Sequence, residues 1–325
     1  MTNNKKALFY VVIFFISLLI ALLIVEVILN GLEFSTGAGR GKVSENWFKK
    51  NWKPINSYGY RDYEWANAPE RNSIVFLGDS FTAGHGVKFE QTYYFKTRET
   101  LGRKYSTFNL GQNGADTEQE ALNYNKFRSV TKIKPQFVVH QYFLNDIDKY
   151  IDLPKFEPWK PVMAAVKHSE FLSLLGTYIY FKNQGQSFAD ATLRAYENES
   201  MFLLHKAELL TLFKSIHDDG ASIIFITFPY LSNDMMLAKS EYPISKVKKV
   251  FLDACRKNDV FFDVSGLARA LADDKRTANI LDAHPSPLLH QLVSDQLLKY
   301  LGNAEVEAEM TDLKMGGSDF VIRCQ

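Results

Sequence analysis

Five short apolar runs constrain this chain more than any other feature. They are Ser73–Leu77, Thr107–Leu110, Phe137–Tyr142, Ser222–Phe228 and Val260–Val264. Each is close to continuously apolar and rich in β-branched or aromatic residues, as a strand buried on both faces must be. Amphipathic stretches separate them, and their periodicity predicts helices over Thr92–Leu101, Thr117–Val130, Met201–His217 and Ile244–Lys257. Buried strands alternating with helices predict a parallel sheet covered on both sides. Right-handed crossovers then give a doubly wound, three-layer α/β sandwich.

A second feature stands ahead of that domain. From Ala7 to Leu29 the chain is apolar except for Ser17 and Glu26. At about 1.5 Å per residue this run crosses a ~30 Å hydrocarbon core. A cleaved signal peptide and a buried core helix are the alternatives. The run exceeds a usual signal core and no clear small-x-small cleavage site follows, which favours an uncleaved single-pass anchor. Glu26, near one end, is expected to snorkel to the interface. Lys5 and Lys6 precede the span while Arg40, Lys42, Lys49 and Lys50 follow it, so flanking charge does not favour an exported carboxyl domain.

These features divide the 325 residues into four parts. They are an anchor (1–32), a linker and packed neck (33–70), the α/β domain (71–303) and an acidic tail (304–325). Residues 150–200 form an insertion too long for an ordinary connection, with a helix expected over Phe171–Phe181. In the neck, Asn56–Asp62 is expected to be an ordered loop with its aromatics packed under the domain. A net charge of +1 leaves no basic footprint for nucleic acid. Cys255 and Cys324 are the only cysteines, which argues against a disulfide framework or a cysteine zinc site and leaves the redox compartment open.

The first run stops at Gly78-Asp79-Ser80, a turn cluster. A serine at the carboxyl end of a buried strand stands where open α/β sheets hold ligands. Ser80 is therefore a candidate nucleophile, with a helix N-cap as the plain alternative. A serine nucleophile needs a base, and the base an orienter. Asp282-Ala283-His284-Pro285 precedes the last helix, for which Ser286 is a good N-cap, Pro287 a good first residue and Gly302 a good stop. Proline biases His284 to extended backbone, where residues i and i+2 point the same way. Asp282 can then orient His284, and His284 can take the Ser80 proton. Donors for a developing oxyanion are the backbone N–H of Ser80, that of Gly114 in Asn109–Thr117, and the side-chain amide of Asn145 after the third strand. Asp79 is expected to brace the nucleophile turn. His85 is expected in a loop near solvent, with His140 and His290 structural.

In these residues the chain resembles the SGNH/GDSL hydrolase superfamily. Gly78-Asp79-Ser80-Phe81 matches its first block, Gly114 its second, Asn145-Asp146 its third, and Asp282 with His284 its last. The resemblance spans about Asn56 to Gly302. It implies a flavodoxin-like, five-stranded parallel sheet in the order 2-1-3-4-5. It also implies a Ser-His-Asp esterase without metal or cofactor. Two positions depart from the family pattern. Phe143 stands where glycine usually precedes the asparagine by two, and Asp282 and His284 are two apart rather than three. The second glycine of an α/β-hydrolase elbow is missing after Ser80, which sets that fold aside.

The expected function is a membrane-anchored serine ester hydrolase acting on a small-molecule or carbohydrate ester, with O-acylated cell-envelope carbohydrate as the candidate substrate and the domain on the periplasmic or extracytoplasmic side. An O-acetyltransferase using the same triad on a glycan is one alternative. A non-catalytic envelope protein that binds glycan or assists assembly is another.

Overall fold

The computed structural model describes residues 3–37, 41–65, 72–151, 169–180, 186–301 and 321–325. Helix α1 (Asn3–Gly31) comes first and α2 (Lys42–Asn51) follows it. The sandwich then runs β1 (Ser73–Leu77), α3 (Ser80–Ala83), α4 (Tyr93–Leu101), β2 (Ser106–Asn109), α5 (Thr117–Thr131) and β3 (Phe137–Phe143). A 3-10 segment over Leu144–Tyr150 leads out of β3. In the insertion lie α6 (Glu170–Tyr180) and α7 (Gln186–Glu197). The second half holds α8 (Glu199–Asp218), β4 (Ser222–Phe228), α9 (Asp234–Lys239), α10 (Glu241–Ala254) and β5 (Val260–Asp263). It ends with α11 (Ser265–Arg269), α12 (Asp273–Arg276), β6 (Thr277–Asn279), β7 (Asp282–Pro285), α13 (Pro287–Tyr300) and β8 (Val321–Arg323).

The main sheet has the order β2-β1-β3-β4-β5-β8. Its first five strands are parallel, in the order the resemblance implies. The sheet is six-stranded rather than five, because β8 pairs antiparallel with β5. Val321 and Ile322 lie beside Phe262 and Phe261 and cover that edge. So the last residues of the expected tail belong to the sheet. Gly302 and the acidic residues Glu305, Glu307, Glu309 and Asp312 lie outside the described residues.

Alternation along the strands sorts two cores. Val75, Leu77, Val138, Tyr142, Ile223, Phe225 and Phe261 face α5, α8 and α10. Ile74, Phe76, Val139, Ile224, Ile226 and Phe262 face α4 and α13. Both faces are buried, which is why the strands read as largely apolar runs.

The two cysteines form a disulfide. Cys255, just after α10, is bonded to Cys324, just after β8. With two cysteines far apart in sequence, their meeting depends on β8 returning to the β5 edge, a tertiary event the sequence does not announce.

Helix α1 is exposed from Lys6 to Val25. Its stretch Lys6–Gly31 is long and apolar enough to cross a membrane. Glu26 does not simply reach for solvent. Its carboxylate accepts from Ser169 Oγ (3.0 Å), from Phe171 N (3.2 Å) and from Glu170 N. In the neck, Tyr60, Arg61 and Asp62 are buried, as expected for an ordered loop.

Candidate active site

Parallel pairing brings the carboxyl ends of β2, β1 and β3 to one edge of the sheet. Three segments emerge there side by side. They are the turn into α3 with Ser80, the 110–116 loop with Gly114, and the 3-10 segment with Asn145. The hairpin of β6 and β7 adds a fourth, carrying Asp282 and His284. Sequence periodicity did not reveal that hairpin, since its strands have three and four residues.

Ser80 is the first residue of α3 and not its cap. Asp79 is the N-cap, and its Oδ1 accepts from Phe81 N at 2.8 Å. Burial pushes the Asp79 carboxyl up to about 6, opposed by that hydrogen bond. Asp79 thus braces the turn and takes the capping role, which leaves the Ser80 hydroxyl to His284.

His284 meets both expected partners. Its Nε2 lies 2.8 Å from Ser80 Oγ, and its Nδ1 lies 2.5 Å from Asp282 Oδ1. The backbone N–H of His284 donates to the same Oδ1 at 3.1 Å. Burial acts to raise the Asp282 carboxyl, but the imidazole of His284, its hydrogen bond and His85 hold it well below the usual carboxylate range. An ionised carboxylate only accepts, so Nδ1 carries the proton and Nε2 presents its lone pair to the Ser80 hydroxyl. Ser286 caps α13 directly after this pair, accepting from Leu289 N at 3.1 Å. That cap fixes where the hairpin ends.

Gly114 is exposed with φ +73° and has open space where a side chain would stand. Asn145 is half-buried, and its Oδ1 has no hydrogen-bond partner among the described residues. Both sit on segments that flank the Ser80 turn. Asp146, beside Asn145, is buried and accepts from Thr117 Oγ at 3.0 Å, which ties the third segment to the start of α5. Phe143 fills the place where a glycine was expected. Its ring stacks on Phe81 at 4.5 Å, and Phe81 meets the His284 ring edge-on at 5.4 Å.

His85 is placed differently from expectation. It is buried, and its ring stacks on His284 with 4.2 Å between centroids. Its Nε2 lies 3.1 Å from Thr36 O and its Nδ1 3.2 Å from the Asn113 amide nitrogen. A carbonyl only accepts and an amide N–H only donates, so Nε2 holds the single proton. Burial, chiefly, lowers His85 to about 4, so the ring is neutral at physiological pH. Gly86 follows with φ +85°, and a Cβ there would stand 2.8 Å from Asp282 Oδ2. His140 and His290 are structural, as expected. His140 faces Glu120 Oε2 at 2.7 Å, and His290 accepts from Tyr93 N at 3.2 Å.

Two more residues escaped the sequence reading. Arg61 sends its guanidinium to Ala83 O, Gly84 O, Val87 O and Asn51 O, clamping the chain just beyond Ser80. Burial brings it down to about 9, still cationic at neutral pH. Gln141 Oε1 accepts from Asp79 N at 3.1 Å and from Thr82 Oγ1 at 2.9 Å, tying β3 to the same turn. Polar side chains inside apolar or aromatic runs were the signal that could have found them.

His85, Asp282 and His284 are also a cluster, among the described residues, whose ligand-type atoms lie within 4.8 Å of one another. Each ring nitrogen in it already has a protein partner.

No protein-family model matches the chain, and no curated protein matches it in sequence. Solved structures do. One is a lipase/acylhydrolase from Enterococcus faecalis, 16% identical over 71% of this chain and 95% of that one, with a TM-score of 0.43. Another is an acetylxylan esterase from Geobacillus stearothermophilus, in a catalytic-mutant form, 17% identical over 71% and 94%, with a TM-score of 0.44. A third is a psychrotrophic esterase from Pseudoalteromonas, 14% identical over 71% and 96%, also with a TM-score of 0.44. The topology of this chain follows from its strand pairing and not from these likenesses.

Proposed function

We propose that the chain is a membrane-anchored serine ester hydrolase of the SGNH/GDSL type. One observation carries the reading: the continuous relay from Ser80 Oγ through His284 to Asp282. Ser80 Oγ attacks the ester carbonyl while His284 Nε2 takes its proton. Asp282 holds the Nδ1 tautomer and stabilises the imidazolium. The tetrahedral oxyanion accepts from the N–H groups of Ser80 and Gly114 and from the Asn145 amide. On collapse, the C–O bond to the leaving alcohol breaks and His284 returns the proton to that oxygen. Water, deprotonated by His284, then attacks the acyl-serine, and release of the acid restores the hydroxyl.

Asn145 supports this assignment in a second way. It is half-buried on the 3-10 segment that flanks the nucleophile turn, with its side-chain amide as the donor this reading assigns. An oxyanion donor presents its N–H to a ligand rather than to the protein.

The Cys255–Cys324 disulfide favours an oxidising compartment. With α1 as the anchor, this supports a hydrolase domain outside the cytoplasm, although the flanking charges do not ask for it. An ester on cell-envelope carbohydrate is the substrate class this placement favours.

The test is a fluorophosphonate probe on the full chain in detergent, read by mass spectrometry. Ser80 should carry the adduct, and Ser80→Ala should lose both the adduct and turnover of p-nitrophenyl acetate while keeping the wild-type melting curve. Undiminished turnover in Ser80→Ala would overturn the assignment.

A further inference from the structure

Helix α6 carries an apolar stripe on the wrong side for a water-soluble domain. Phe171, Leu172, Leu175, Tyr178 and Ile179 follow the i, i+1, i+4, i+7, i+8 spacing of one helix face. All five are more than a third exposed, while Glu170 and Ser173 are turned inward and buried. Two polar side chains thus face the protein while five apolar ones face out.

The stripe begins at a defined level on α1. Helix α6 packs against α1, and Glu26 accepts from the first backbone N–H groups of α6. Residues 7–25 of α1 span about 28 Å at 1.5 Å per residue, the depth of a hydrocarbon core. Glu26 then stands at its boundary. The exposed face of α6 starts beside Glu26, where α1 still exposes Val27 and Ile28, so the two apolar surfaces adjoin. Tyr178 on that face is the residue type that settles at a lipid–water boundary.

We propose that the stripe of α6 is seated in the bilayer surface beside α1, fixing the catalytic site at the lipid–water boundary. This rests on the reading of α1 as a membrane anchor. The occupant is lipid, because no segment of the described chain covers the stripe and its neighbour is the anchor itself.

The connection from this helix to the site is direct. Glu170 accepts from Lys42 N at 2.7 Å and Val43 N at 2.9 Å, so it caps α2. Gly41 permits the approach, since a Cβ there would lie 2.7 Å from Glu170 Oε1. Helix α2 presents Trp47 and Phe48, whose rings pack on His85 at 6.1 and 5.1 Å between centroids. His85 in turn stacks on His284. A second tie comes from the chain leaving α1. Thr36 O meets His85 and Gly37 N donates to Leu281 O at 2.8 Å. Thr36 is five residues beyond the end of α1, at most about 18 Å of extended chain. In this proposal the substrate is an ester carried by a membrane-embedded or membrane-apposed molecule.

The experiment is site-directed spin labelling of the full chain in phosphatidylethanolamine–phosphatidylglycerol vesicles. The native cysteines are bonded and do not label. Single variants Leu175→Cys and Ile179→Cys report α6, Leu18→Cys reports α1, and Leu204→Cys on exposed α8 reports water. Each labelled variant is first checked for wild-type turnover of p-nitrophenyl acetate. Labels on α6 should collide with oxygen several-fold more than with a water-soluble nickel chelate, as the Leu18 label does, while the Leu204 label shows the reverse. Water-like α6 labels beside a lipid-like Leu18 label would overturn the proposal and leave the anchor standing. A water-like Leu18 label would overturn the anchor reading, and the proposal with it. Labels on α6 shielded from both reagents, with spin–spin broadening, would assign the stripe to a second copy and overturn the lipid assignment.

Discussion

The imidazole of His85 lies nearly parallel to that of His284, 4.2 Å away with 18° between the planes. His85 is locked by Thr36 O on one nitrogen and the Asn113 amide on the other. It backs one face of the His284 ring, whose two nitrogens meet Asp282 Oδ1 and Ser80 Oγ. His85 is therefore a positioning residue in this reading. His85→Ala should lower kcat about 10-fold with little change in KM, and His85→Phe should recover most of it by restoring the stacked ring. Because burial lowers His85 to about 4 and leaves it neutral at higher pH, His85→Phe should leave the acid limb of the kcat/KM profile unmoved above about pH 5. A shifted limb would show that His85 carries a proton in the working range.

Asp282 acts on the other side of the same ring. Asp282→Asn would present an amide N–H or a neutral carbonyl to His284 Nδ1, so the tautomer with a lone pair toward Ser80 loses its support. Turnover of p-nitrophenyl acetate should fall by about 10³ to 10⁴ with KM little changed. Circular dichroism should stay unaltered. A loss below 10-fold at unchanged fold would remove Asp282 from the relay.

Much of this arrangement was legible in the sequence, and the pattern of what was not is physical. Runs such as Ser222–Phe228 advertise a doubly buried strand because nothing else tolerates them. Ser80, Asp282 and His284 were legible because local chain geometry sets their directions: a strand end for one, an extended Asp-x-His-Pro before a helix cap for the others. His85 and Arg61 were not, because their roles arise from packing between segments distant in sequence. His85 meets the chain leaving α1, and Arg61 reaches across to carbonyls after α3. Strand β8 and the Cys255–Cys324 bond were hidden for the same reason.

That bond closes a loop of 69 residues' separation and holds β8 on the edge of β5. Cross-linking a loop of this size stabilises by about 4 kcal/mol through the unfolded chain. Cys324→Ser, or reduction of the wild type, should lower the melting temperature by several degrees. Ester turnover per folded molecule should be unchanged, because β5 and β8 lie at the sheet edge away from β1. An unchanged melting temperature on verified reduction would deny the bond its stabilising role.

Asp148 makes a prediction whose sign is set by burial. It lies in the 3-10 segment after β3, accepting from Thr192 Oγ of α7 at 2.5 Å. Burial pushes its carboxyl up to about 7, against the Thr192 hydrogen bond. A folded-state value above the unfolded one means the folded protein keeps a proton that the unfolded chain has lost. The associated stability is fully present below about pH 4 and is lost as pH rises through 7. A shift from 3.8 to about 7 corresponds to at most on the order of 4 kcal/mol. Asp148→Asn cannot ionise and keeps an acceptor for Thr192. Chemical denaturation should find it more stable than wild type at pH 8 and equal to it at pH 4. The same gain at both values would mean that the substitution acts through packing, and not through the buried charge.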